Sequence, residues 1–193
     1  MRSVMMALIM FGAAVAIAQD VNIDRSGESP IEAKFASSGK VRMDLCPGGV
    51  KVVGVDEPAV RVSFEPERES VHVRLDIRGD RADLRMSGCP HNNFRVRIEV
   101  PKSSSLYFRM FAGQLDVNDV TGDKDLEVTF GQLNIDAGKA ETYASVDASV
   151  NSGQIDANEF NVHKGGLFRS FDQRGSGKYK LHAHVAAGQI QIR

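Results

Sequence analysis

The sequence predicts an all-β, single-domain fold in which short strands stack on one another as a β-solenoid or β-helix-like array. Polar and apolar residues alternate with period two along most of the chain after Gln19, and a glycine-centred pattern recurs in the second half. Residues 137–145 are the one weak helical candidate in that part of the sequence. A β-sandwich is the alternative fold, because regularly spaced short strands suit it as well.

The alternation is clearest in four segments before residue 101. Between residues 71 and 77 every second residue is apolar, and the residues between them are His72, Arg74 and Asp76. Such a pattern is typical of strands with one face in the core and one in solvent. The predicted strands are 41–45, 60–64, 71–77 and 96–100, the last ended by Pro101.

A short motif, Gly-Gln-Leu/Ile followed by a polar and then an apolar residue, occurs four times in the second half. Each copy follows an alternating strand, so one unit consists of a strand, a glycine corner and a second strand. Glycine suits a sharp corner because it has no Cβ and tolerates positive φ. The predicted corners are Gly113, Gly131, Gly153 and Gly188, with a degenerate copy at 46–52.

Stacking of these units in register would align their polar residues at about 4.8 Å per strand. We expect one column of amides from Gln114, Gln132, Gln154 and Gln189, and a second polar column from Asp116, Asn134, Asp156 and Gln191. The long interval before Gly188 predicts an irregular turn or flap. The final strand, 189–193, predicts an open edge through which the protein could self-associate.

The stretches 96–101, 106–117 and 122–135, together with 50–56, resemble the bacterial putative-adhesin β-strand-repeat family, a domain of unknown function. The resemblance covers roughly residues 40–193 and rests on spaced glycines and alternating apolar residues. This chain has Gln after each repeat glycine, where the family commonly has Asp or a similar residue. The resemblance implies a solenoid-like domain at the cell envelope or surface, and it implies no enzyme.

The first 18 residues predict a secretory signal peptide. Arg2 precedes an apolar run from Val4 to Ile17, and Ala16 and Ala18 form an A-x-A cleavage site. The run is short for a membrane span, which needs about 20 residues. We therefore expect an exported protein, periplasmic or extracellular, with an N-terminal segment or cap at 19–39 and the repeat domain at 40–193.

The charge of the exported chain is nearly balanced. Without Arg2, 23 basic residues stand against 25 acidic ones, a net charge of −2. This balance gives no electrostatic reason to expect nucleic acid or an anionic membrane surface as partner.

Cys46 and Cys89 are the two cysteines of the chain. In an oxidising compartment they are expected to pair. Two buried thiols, or half of a metal site with His91 as a further ligand, are the alternatives.

His182 and His184 are the best metal-ligand candidates, because residues two apart on a strand point the same way. The local sequence supplies no third ligand, so a solvated strand face is the favoured interpretation and no metal is predicted.

Asp116 and Asp156 suggest a polysaccharide-cleaving enzyme on a β-helix. Two strand spacings, about 9.6 Å in total, would separate the two carboxylates by a distance that suits such an enzyme.

The favoured function is a non-catalytic, adhesin-like binding or scaffold role at the cell envelope, without a cofactor and with an unknown ligand. The sequence contains neither G-x-S-x-G nor H-E-x-x-H. The alternatives are a polysaccharide-active enzyme and a self-associating structural protein.

Overall fold

A computed structural model describes residues 20–193 and shows an all-β protein, which confirms the all-β part of the predicted fold. The predicted signal peptide, residues 1–18, lies outside the described residues. Short 3-10 segments occur at Ala140–Thr142 and Asn158–Phe160, and no helix in the described part is long and apolar enough to cross a membrane. The strands are β1 (Val21–Ser26), β2 (Ile31–Lys34), β3 (Lys40–Leu45), β4 (Gly48–Val55), β5 (Ala59–Glu65), β6 (His72–Arg78), β7 (Arg81–Ser87), β8 (Arg95–Pro101), β9 (Ser105–Asn118), β10 (Lys124–Ile135), β11 (Tyr143–Ala157), β12 (Val162–Arg174) and β13 (Tyr179–Ile192).

All thirteen strands belong to one hydrogen-bonded sheet that has two branches. One branch has the order β1-β6-β7-β3-β9-β10-β13-β11-β12, and the other adds β2, β5, β8 and β4 beside β9. The branches meet on β9, whose residues before the corner pair with β3 and whose residues after it pair with β4. The first half of β9 therefore continues one branch and its second half continues the other.

The inward-facing residues change phase in the middle of each long strand. On β10, Leu126 and Val128 are buried in the first half, and Leu133 and Ile135 are buried in the second half. Gly131 lies between them with φ +136°. Because the chain turns at this glycine, both halves direct apolar side chains into one continuous core. The same change occurs on β9, β11 and β13.

The corner glycines lie side by side across the parallel strands. Gly131 pairs with Gly113 on one side and Gly188 on the other, and Gly188 also pairs with Gly153. A Cβ on Gly188 would lie less than 3.0 Å from the backbone oxygen of Gly131. The corner therefore needs glycine for close strand approach as well as for its positive φ. Gly48 continues the row next to Gly113.

The spatial order of the strands differs from their sequence order. β13 lies between β10 and β11, parallel to both. The prediction that the C-terminal strand is an open edge is therefore wrong. The cause is β12, which runs back along β11 and returns the chain to the end from which β13 can start parallel to its neighbours.

The segment expected to be an irregular turn or flap is instead the edge strand β12, which is irregular at Phe168, where φ is +51°. Phe171 is buried, whereas Leu167 and Phe168 are exposed. Lys164 and Arg169 lie opposite the buried residues Ile155 and Val150, so they occupy core-facing positions on this edge. Charged residues at such positions oppose pairing with another strand.

Lys124 is a buried lysine that the sequence analysis did not identify. It occupies a position on β10 whose side chain faces the core, and it is 1% exposed. Its Nζ donates to the Gly122 backbone oxygen and to the Tyr143 hydroxyl, each at 3.1 Å. Burial lowers the pKa of this ammonium from 10.5 to about 8, although Asp123 and Asp136 favour its charged form.

Raising the pH from 8 to 10 is expected to increase the free energy of unfolding by about 2 kcal/mol through Lys124. The unfolded chain keeps this proton up to the ordinary pKa, whereas the folded chain releases it near pH 8, so the unfolded state binds more protons within that interval. Urea unfolding of the wild type and of Lys124→Met across this range measures the effect. The variant should lack the increase, and an equal increase in both proteins would contradict the assignment.

Candidate functional site

The second halves of the long strands present two columns of polar side chains on their outer face. Register places the glutamines in the order Gln114, Gln132, Gln189 and Gln154. We call this set the amide column. It follows directly from the glycine corners, because each glutamine is the next residue after a corner glycine. The two C-terminal copies are exchanged relative to the sequence order, since β13 precedes β11 in space.

The adjacent column spans six strands. Its members, which we call the mixed column, are in order Lys51, Asp116, Asn134, Gln191, Asp156 and His163. Six strands cover five spacings, about 24 Å in all. The two columns therefore form an extended polar surface rather than an enclosed pocket.

Hydrogen bonds orient the side chains within this surface. Asp116 accepts from Gln114 at 2.9 Å and from Asn134 at 2.7 Å. Asp156 accepts from Gln154 at 2.6 Å and from Gln189 at 3.0 Å, and His163 Nδ1 lies 2.9 Å from its carboxylate. Hydrogen bonds from His163 and from both glutamines keep the pKa of Asp156 below its usual value.

The two aspartates do not have the geometry of a glycosidase pair. Asp116 and Asp156 are three strands apart, because Asn134 and Gln191 lie between them, a separation of about 14 Å. The expectation of two spacings is therefore wrong, and a carboxylate pair flanking a glycosidic bond is separated by about 5–9.5 Å. A general acid also needs a raised pKa, whereas that of Asp156 is lowered.

A shallow depression of about 580 Å³ continues the polar surface toward β8 and β5. Gly49 lies in the row of the amide column, beside Gln114 on one side and Arg95 on the other. Because glycine has no side chain, the row is interrupted there. The polar side chains around this depression are Ser63, Glu65, Arg95, Arg97, Lys51, Gln114 and Asp116.

On the outer face of the first halves, the structure supplies His182 with acidic neighbours that the local sequence lacked. Ligand atoms of Asp125, Glu127 and His182 lie within 4.8 Å of one another. Asp147 lies 3.3 Å from Nδ1 of His182. Arg109 lies 3.0 Å from both Asp125 and Glu127, so it supplies the positive charge that these carboxylates need.

His184 does not join that cluster as a further ligand. It lies beside Glu127 in the strand register, and its Nδ1 is 2.9 Å from the Ser149 hydroxyl. The first-half face is therefore an ion-pair network with hydrogen-bonded histidines. The sequence analysis did not identify Arg109, Asp125 or Glu127. Each of them alternates with apolar residues along its strand, and this pattern was the signal that could have placed them on the outer face.

Cys46 and Cys89 are joined by a disulfide that connects residues 43 apart in the sequence. Cys46 lies between β3 and β4, and Cys89 lies between β7 and β8. Since β3 pairs with β7 and β4 pairs with β8, the disulfide ties together two neighbouring chain segments that pass between the branches.

No family model matches the chain, and no curated protein matches it. The solved structure of a putative cell adhesion protein from Clostridium sporogenes ATCC 15579 is similar, with a TM-score of 0.55 and 12% identity over 90% of this chain and 99% of that one. The structure of a putative adhesin from Bacteroides fragilis NCTC 9343 aligns with a TM-score of 0.33 and 10% identity over 92% and 98% of the two chains. At these identities the first likeness shows a shared fold, and the second carries no argument.

Proposed function

We propose that this protein is a non-catalytic binding module of the cell envelope that holds an extended polar ligand, such as a polysaccharide, along the amide and mixed columns. The observation that carries the proposal is the in-register alignment of polar side chains across neighbouring strands. Amides donate and accept hydrogen bonds, and carboxylates accept them, so together they match the hydroxyl groups of a sugar chain.

We further infer that the domain is a solenoid-like stack rather than a sandwich of independent hairpins. Support comes from the parallel pairing of β9, β10, β13 and β11, and from the corner that each of them makes at the same level. A row of rigid corners keeps the columns straight. Residues held on paired strands present binding groups with little loss of conformational entropy.

The proposed location is the periplasm or the cell exterior. Three features support it: the predicted signal peptide, the disulfide between Cys46 and Cys89, and the likeness in fold to a protein described as a putative cell adhesion protein. Disulfides persist mainly in oxidising compartments.

Binding of the mature protein to an immobilised neutral glucan and to a polyuronate tests the proposal. Gln132→Ala/Gln189→Ala removes two neighbouring amides and should weaken binding to both about tenfold, since a hydrogen bond contributes about 0.5–1.5 kcal/mol. Asn151→Ala/Gln173→Ala removes two amides outside the columns and should leave binding unchanged.

The same incubations test the non-catalytic assignment. We expect the polysaccharides to be retained without release of new reducing ends. Release that is lost in Asp116→Ala or Asp156→Ala would identify an enzyme instead. Failure of the wild type to bind either polymer, or unchanged binding by the column variant, would contradict the proposed ligand surface.

A further inference from the structure

Three cations lie together on β4 and β8 at one end of the amide column. Lys51 lies directly opposite Arg97, and Arg95 lies opposite Gly49, two residues before Lys51 on the same strand pair. We call Lys51, Arg95 and Arg97 the basic triad. Like charges directly opposite each other on a sheet destabilise it. The triad therefore has no evident role in stabilising the fold.

The ion pairs of the described residues leave much of this charge uncompensated. Arg97 has a partner in Glu99 at 3.0 Å. Lys51 and Arg95, by contrast, have no carboxylate within 4.0 Å among residues 20–193. Asp116 is the strand neighbour of Lys51, but its oxygens accept hydrogen bonds from Gln114 and Asn134.

The shape of the surface gives a ligand access to these cations. Gly49 forms part of the depression of about 580 Å³, and the triad surrounds it. Glu65, opposite Arg95, and Asp116, beside Lys51, are the carboxylates that face the depression. Three cations and two carboxylates line the rim, and Arg97 is paired with Glu99 outside it, so the cations that face the depression without an ion-pair partner are Lys51 and Arg95.

We propose that the depression at Gly49 binds an anionic substituent, a carboxylate or a phosphate ester, of the polysaccharide held on the columns. This inference rests on the proposed function and specifies its ligand class as an acidic glycan. The depression lies one strand spacing from Gln114, so a sugar bound on the amide column can place its acidic group between Lys51 and Arg95. Arginine and lysine both bind such oxyanions, arginine in bidentate geometry.

The test compares a polyuronate, a phosphate-bearing glycan and a neutral glucan. Arg95→Gln/Arg97→Gln changes two members of the triad that lie outside both columns; it should weaken binding to at least one of the acidic polymers tenfold or more, and it should leave the glucan affinity unchanged. Lys34→Gln/Arg78→Gln removes the same charge from exposed positions elsewhere and should have no such effect. The polymer that responds identifies the acidic group.

A second variant tests the shape of the depression independently of charge. Gly49→Leu fills it, and its backbone tolerates a side chain because a Cβ there comes no closer than 3.9 Å to a neighbour. We expect the same selective loss of acidic-polymer binding. The inference is overturned if the triad and control variants weaken binding equally, or if neither acidic polymer responds. Retained glucan binding that depends on Gln132 and Gln189 would then leave the proposed function standing.

Discussion

Gly188→Ala is expected to lower the free energy of unfolding by about 4 kcal/mol or more, and it can prevent folding altogether. Gly188 has φ +146°, and an added Cβ would meet the backbone oxygen of Gly131 at less than 3.0 Å. Backbone on a neighbouring strand cannot move aside as a flexible side chain can. The strands on both sides would have to separate, with loss of hydrogen bonds across the centre of the stack.

Gly138→Ala is the matched control for this prediction. Gly138 also has a positive φ, +63°, but a Cβ there would have nothing within 4 Å. The substitution should therefore lower the free energy of unfolding only by the cost of placing alanine in a left-handed backbone conformation, about 1–2 kcal/mol. Urea unfolding of the mature proteins, followed by circular dichroism, gives both values. Equal losses would show that the corners do not depend on close strand approach.

Removal of the disulfide by Cys46→Ala/Cys89→Ala is expected to lower the free energy of unfolding by about 4 kcal/mol. The expected magnitude follows from loop-closure entropy for cysteines that are 43 residues apart. Cys46 and Cys89 connect two chain segments near the edge that β1 and β2 occupy. The restriction therefore acts between the segment that joins β3 to β4 and the segment that joins β7 to β8.

Reduction provides the control for the disulfide prediction. Wild-type protein should lose the same stability in dithiothreitol, whereas the double variant should be unaffected by it. A thiol assay on protein that has been denatured without a reducing agent should find no reactive cysteine. Detection of two thiols there would contradict the pairing.

Period-two alternation predicted β3, β5, β6, β8 and the long strands that contain the glycine corners, whereas β1, β2, β7 and β12 were not predicted. The change of phase at Gly131 is visible in the sequence, since apolar residues occur at 126 and 128 and then at 133 and 135. The same reasoning predicted which side chains would face outward. It also predicted that residues next to the corner glycines would lie on one surface.

The order of the stack could not be predicted from these patterns. The copies at β10, β11 and β13 have similar apolar profiles, so any of them could pair with either of the others. The placement of β13 depends on the path of β12, which the spacing of glycines does not encode. The residue pairs that depend on this order were therefore missed, including the separation of Asp116 from Asp156.

Side chains that act across strands were equally inaccessible. Lys124 has the inward phase of β10, yet a lysine at such a position is usually exposed, and its hydrogen-bond partner Tyr143 lies on another strand. The basic triad likewise forms only when β4 pairs with β8. Predicting such sites requires the pairing register between strands, and the sequence of one strand does not reveal that register.

The measurement that tests the central claim most directly is a crystal structure of the mature protein with a bound acidic oligosaccharide. The account predicts an intact sugar chain along Gln114, Gln132 and Gln189, with its acidic group in the depression at Gly49. A sugar bound elsewhere, for example at the Asp125–Glu127–His182 cluster, or a cleaved product beside Asp116 or Asp156, would contradict it.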